Sequence, residues 1–179
     1  MFCYRITKYN PSYRNSSGAY LKNEWTSISE IGDVFDDWRL TYKRYKQVED
    51  SYVKTILIFM DFLKEKTLRI TNLEKNSDVL KKNSQYSKSM CDIFAKASIG
   101  DLVSREEVEK LARLSLRQDL WCKLESEKMY VHIGDDYYMF IGSSSISDSL
   151  IEKIEKMGLF VEEFESPYLE DMTDEDISN

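Results

Sequence analysis

This chain holds a single histidine, His132, and histidine is the side chain whose proton equilibrium lies nearest neutrality. It sits in Tyr130-Val131-His132-Ile133-Gly134-Asp135-Asp136, where an imidazole and two carboxylates could bind a metal or exchange protons. Two considerations weigh against that chemistry. Gly134-Asp135-Asp136 lies between two β-rich runs, where a hairpin needs turn residues. A lone imidazole also leaves a common zinc site without its second histidine. A Ser–His–acid or Cys–His arrangement would have to use the same His132, and no serine stands in a G-x-S-x-G context. Gly142-Ser143-Ser144-Ser145 precedes a helix and could hold an anion, but lacks the lysine and spacing of a phosphate loop. No catalytic residue, metal ligand or cofactor is therefore expected. A small metal-dependent or acid–base enzyme centred on His132 stands as the alternative.

Charge is the stronger signal. Leu159 to Asn179 carries eight carboxylates and no Lys or Arg, in a chain whose formal charge is −7, so the rest sums to about +1. One segment thus carries the acidity, and it repels nucleic acid and lipid head groups while attracting basic protein surfaces. Leu159, Phe160, Val161, Phe164 and Tyr168 need burial, which places Glu162, Glu163 and Glu165 on structured backbone. From Glu170 and Asp171 onward apolar residues almost vanish, and 170–179 is expected to be a disordered acidic tail. The best basic stripe is Arg39, Lys43, Arg44 and Lys46 with Tyr42 and Tyr45 interleaved. On a helix Arg39, Lys43 and Lys46 would share a side and could track phosphates, the reading of a nucleic-acid accessory protein. Tyr45 belongs to an apolar stripe, however, and Glu49 and Asp50 follow, so a solvated helix face is expected.

Composition bounds the class. At 179 residues, 42% of them hydrophobic and 13% aromatic, the chain suits one domain with a single core. Twelve tyrosines fit a half-buried sheet face. The start, MFCYRITKYNP, has no apolar leader, and the longest apolar run, Ile56 to Met60, is too short to span a bilayer. Cys3, Cys91 and Cys122 are odd in number and share no CxxC spacing, so reduced thiols in a cytoplasmic protein are expected.

The elements that would position these groups follow from periodicity. Phe2 to Tyr9 alternates as a strand, with Phe2, Tyr4 and Ile6 on one face. A short helix is expected near Ser27 or Ser29. Tyr45, Val48, Tyr52, Ile56, Phe59 and Leu63 recur at three- and four-residue steps, which predicts a long helix near 41–64 capped by Thr41. Thr67 to Leu73 alternates Leu68, Ile70 and Asn72 against Arg69, Thr71 and Leu73, as a strand does. Glu74 to Ser89, rich in Lys, Asn and Ser, reads as a loop or a poorly packed helix, a flexible insertion and not a domain boundary. Ser104 with Glu107 forms a capping box for a helix burying Val108, Leu111 and Leu114 or Ser115. Leu120–Glu125, Met129–Ile133 and Tyr137–Ile141 predict strands, Ser147–Met157 a helix ended by Gly158, and Leu159–Phe164 a last strand. This is an α+β single domain over 1–169, a mainly antiparallel sheet with a C-terminal hairpin packed against several helices.

Glu24 through Gly32, Trp121 through Glu125, and Gly158 through Tyr168 look like segments of small bacterial cytosolic proteins. The whole chain resembles the immunity proteins of polymorphic-toxin and contact-dependent inhibition systems. That resemblance implies a non-enzymatic protein that binds a toxin domain, often a nuclease, and occludes its active site. It implies no particular functional residues. The charge distribution supplies them: Glu162, Glu163, Glu165, Glu170 and Asp171 as the acidic surface for a basic protein partner, with Tyr168 as an aromatic anchor. Direct contact with nucleic acid or membrane is not expected.

Overall fold

A computed structural model describes residues 1–76 and 86–169 of this protein. Most of the expected insertion at 74–89, and the acidic tail with Glu170 and Asp171, lie outside the described residues. Seven strands form one sheet: β1 (Phe2–Thr7), β4 (Thr67–Lys75), β5 (Leu102–Ser104), β6 (Leu120–Glu125), β7 (Met129–Ile133), β8 (Met139–Ser143) and β9 (Phe160–Glu163). Their order is β5-β4-β6-β7-β8-β1-β9, and every pairing is antiparallel. A two-residue ribbon, β2 (Val34–Phe35) and β3 (Trp38–Arg39), stands apart. Helices α1 (Tyr42–Leu63), α2 (Lys88–Lys96), α3 (Arg105–Leu116) and α4 (Asp148–Glu155) complete the α+β domain.

Alternation sets which face meets the helices. Tyr4 and Ile6 of β1, Met129, Val131 and Ile133 of β7, and Met139 and Ile141 of β8 all enter the core. They meet Tyr45, Tyr52, Ile56 and Phe59 of α1, all fully buried and spaced for one helical face. Each such side chain contributes roughly 1.5–3 kcal/mol by leaving water. Thr41 caps α1 by accepting the Arg44 N–H at 3.2 Å, and Lys64 ends it in the left-handed conformation. The Ser104–Glu107 capping box opens α3 with both reciprocal bonds formed.

One charged group lies inside this core. Glu49 of α1 is fully buried, yet accepts hydrogen bonds from Arg117 Nε (2.6 Å) and Nη2 (3.1 Å), Arg113 (2.9 Å), Lys46 (2.9 Å) and Tyr45 Oη (3.2 Å). Burial pushes its carboxyl up, but the hydrogen bonds and charge of Arg117, then Lys46, outweigh that and hold it below the ordinary value. The carboxylate thereby joins the first turns of α1 to the end of α3.

The β7–β8 connection is also tied down. Asp136 (φ 54°) and Tyr137 (φ 63°) both occupy the left-handed region, which costs of order 1–3 kcal/mol per residue. Tyr9 Oη donates to the Asp136 carbonyl at 2.8 Å and Tyr52 Oη to that of Tyr137 at 2.7 Å, so remote side chains hold the turn in place.

Three sequence expectations need correction. A β-bulge between Ile70 and Asn72 switches the parity of β4, so Leu73, not Asn72, joins Leu68 and Ile70 against the core. Helix α2 (Lys88–Lys96) starts inside the stretch expected as an insertion, and with β5 (Leu102–Ser104) it accounts for most of 90–103, to which the sequence pattern assigns nothing; Ser87 caps α2 and Met90, Ile93 and Phe94 turn inward. Arg39 belongs to β3 and not to a helix, so it shares no helix side with Lys43 and Lys46. The short helix expected near Ser27 is present as a single 3-10 turn, Ile28–Glu30, with Ser27 as its cap and a Ser27–Glu30 capping box.

Replacing Glu49 by Gln leaves three buried or half-buried cations facing a neutral amide. Urea unfolding of E49Q should show a loss of about 3–5 kcal/mol. A loss below about 1 kcal/mol would mean the cluster contributes little to stability.

Candidate functional site: the sheet's outer face and its acidic edge

The face of the sheet turned away from α1 and α3 carries the groups that could do chemistry. Strand alternation puts Arg5, Trp121, Lys123, Glu125, Tyr130, His132 and Phe140 there. The chain leaving β9 then crosses this face. Its course is set by three attachments.

The first is an ion pair. Glu162 of β9 stands opposite Arg5 of β1 and accepts from Arg5 Nη2 at 2.8 Å and Nε at 3.2 Å, with Arg14 Nη2 at 3.6 Å. The Arg5 guanidinium also lies over the Phe164 ring at 4.4 Å. The second is a polar relay. His132 Nδ1 lies 2.8 Å from Ser166 Oγ, and His132 Nε2 lies 2.8 Å from Glu125 Oε1. An ionised Glu125 only accepts, so His132 Nε2 donates to it; in the neutral imidazole Nδ1 is then the acceptor for the Ser166 hydroxyl. The Tyr168 N–H donates to the same Ser166 oxygen at 3.2 Å. The hydrogen bond from His132 is the first cause lowering the Glu125 carboxyl below its ordinary value. The third attachment is aromatic. Tyr168 meets Trp121, Phe140 and His132 with ring centres 5.6, 5.9 and 6.4 Å apart, and its phenol fills the space a Cβ would need at Gly134. Beneath the strap Tyr130 stacks on His132 at 4.6 Å and covers Gly142, where any Cβ would collide with the Tyr130 ring.

Ser166, His132 and Glu125 thus form a hydroxyl–imidazole–carboxylate series, the residue types of nucleophilic hydrolysis. His132 is fully buried and Ser166 is 4% exposed, so in this arrangement the hydroxyl has no open approach for a carbonyl. The series fastens the strap to the sheet. Asp135 and Asp136 are exposed in the turn, and the structure does not bring them to His132. Among the described residues no three His, Cys, Asp or Glu side chains converge as a metal site would require. Cys3, Cys91 and Cys122 are free thiols. No helix among the described residues is long and apolar enough to cross a membrane.

The expected partner-binding residues divide. Glu162 is consumed by Arg5 and Arg14 and is not a free charge. Glu163 and Glu165 are exposed, with no ion pair among the described residues. Tyr168 is half-buried against the sheet, so it anchors the strap more than it offers a ring to a partner; burial, then Asp135, raises its phenol. In the basic stripe, Lys46 is bound to Glu49 and Asp50, and Arg44 stacks over Trp38 at 3.8 Å. The Ser166–His132–Glu125 series is not foreseen from sequence. Ser166 lies 34 residues from His132, and the only sequence hint is that alternation puts His132 on the face opposite the core.

No protein-family model, curated protein or solved structure matches this chain.

Ser166→Ala removes the donor to His132 and the acceptor for Tyr168. Urea unfolding should register about 1–2 kcal/mol of lost stability, with faster amide exchange confined to the strap. The Glu125 shift sets a pH signature. A carboxyl depressed in the folded state adds stability that is complete above the ordinary value of 4.5 and fades as pH falls through the lower folded value. In Glu125→Gln that part of the acid limb should flatten, as followed by thermal melts from neutral to acid pH.

Proposed function

We propose that this protein is a non-enzymatic binding protein, an immunity protein that neutralises a cognate bacterial toxin domain by occluding its basic active-site surface. The supporting observation is the placement of Glu163 and Glu165. Both are exposed, on backbone held by β1 and by the strap's attachments, near the β9 edge of the sheet. Fixed charges at a rim steer association and select against partners of the same sign. Glu162 serves this reading indirectly, through its pairs with Arg5 and Arg14, which hold β9 in register and leave Glu163 exposed on the opposite side of the strand. Glu170 and Asp171 extend the same acidic run in sequence.

The test is co-expression with the protein encoded beside this chain. Protection from growth arrest is expected with the natural sequence. Glu163→Lys/Glu165→Lys, checked for native stability, should lower the association rate at low salt by about tenfold or more and converge with the natural protein as salt rises. Unchanged association in that variant would remove the acidic edge from the interface. A neighbour that is neither toxic nor bound would end the immunity reading.

A further inference from the structure

The sheet has two edges, and they are not alike. At one end β5 is three residues long and runs directly into α3. At the other end β9 is the last strand in the order, and its far side pairs with no strand among the described residues. The register shows which backbone groups that side presents. Phe164 donates its N–H inward to the Cys3 carbonyl at 3.0 Å, and Arg5 stands opposite Glu162. Antiparallel bonding alternates, so the N–H and C=O of Val161 and Glu163 point away from β1. An edge with free donors and acceptors is a template for another strand.

We propose that the partner engages this protein by adding a strand to β9, as an extended segment in which basic and apolar side chains alternate. The proposal rests on the binding reading above and specifies its mode. Pleating puts Glu163 on the helix side of β9 and Phe164 on the outer side. On the helix side Glu163 stands opposite Tyr4, so a cation placed there meets its carboxylate. Phe2, Cys3, Tyr4 and Glu163 line a cavity of about 200 Å³ at the same corner, suited to the apolar stem of a lysine. On the outer side Phe164 is 45% exposed and offers an apolar contact. A second copy of this chain is a poor occupant, because an antiparallel pairing of β9 with itself about Glu163 or Phe164 would set Glu163 against Glu163 or Glu165 of the other copy. Strand addition supplies affinity through the backbone and selectivity through the alternating side chains.

The probe is a hexapeptide alternating lysine and valine, with a glutamate–valine hexapeptide as its control, added to the full chain. The lysine peptide should bind, slow amide exchange at Val161 and Glu163 about tenfold at saturation, and weaken with salt; the glutamate peptide should not bind. Two variants separate charge from backbone. Glu163→Gln removes only the charge, while Glu163→Pro also removes the outward N–H, which β1 does not use, and an edge strand tolerates proline there. E163P should bind about tenfold more weakly than E163Q, the loss of one hydrogen bond. Equal binding by the two variants, or salt-sensitive binding without protection of Val161 and Glu163, overturns strand addition while leaving the acidic-edge reading intact. Absence of lysine-peptide binding also overturns it, whereas the co-expression test decides the immunity reading separately. Should E163P fail to fold, amide exchange in the natural protein with and without the lysine peptide decides between the two outcomes.

Discussion

A carboxylate with no exposure to water sits where α1 meets α3, and the arrangement of the helices follows from keeping it ionised. Glu49 loses its hydration entirely, a cost that only converging donors offset. Arg113 and Arg117 must therefore be delivered from the last turn of α3 and the residue after it, which fixes how far α3 runs and the angle at which it crosses α1. Asp50 and Glu109 balance the second guanidinium charge at the surface end of the same cluster. Tyr45 closes the inner side, with its hydroxyl on Glu49 and its ring against Trp25 and Tyr137. Apolar packing alone could accept several helix registers; this cluster accepts one.

The opposite side of the sheet follows a different logic. There the chain covers its own open face with a short strap after β9, held by Arg5, His132 and the aromatic group around Tyr168. Polar groups that could do chemistry are spent on that closure. His132 is saturated by Ser166 and Glu125, and the exposed carboxylates sit beyond it, at the rim. A border held in place in this way has little ordering entropy left to lose if it takes part in binding.

Much of this was legible from sequence because it is periodic or local. The apolar stripe from Tyr45 to Leu63, the caps at Thr41 and Ser104, the helix opening at Ser147 and the strands around Gly134 depend on spacings within a few residues. What escaped was set by distant partners or a single inserted residue. The bulge at Thr71 reverses the alternation of β4 with no compositional mark. Helix α2 did carry helical spacing at Met90, Ile93, Phe94 and Ala97, but the Lys- and Ser-rich stretch before it masked the start. Glu162, Glu163 and Glu165 look equivalent in the sequence; only the pairing of β9 with β1 shows that Glu162 meets Arg5 while Glu163 turns to the other face. The Ser166–His132 bond joins residues with no sequence relation and needed the fold to be seen.

The turn at Asp136 and Tyr137 has a consequence for the order in which the chain folds. A two-strand hairpin is ordinarily a local event, complete in microseconds and nearly independent of the remainder. Here its reversal adopts two unfavourable backbone conformations, and the hydroxyls that offset them come from Tyr9 and Tyr52, more than eighty residues upstream. The hairpin is adjacent in sequence yet depends energetically on the far end of the chain. It is poorly suited to start folding on its own, and the rate-limiting assembly is expected to include β1 and α1 docked beside it, which raises the effective contact order of the nucleus.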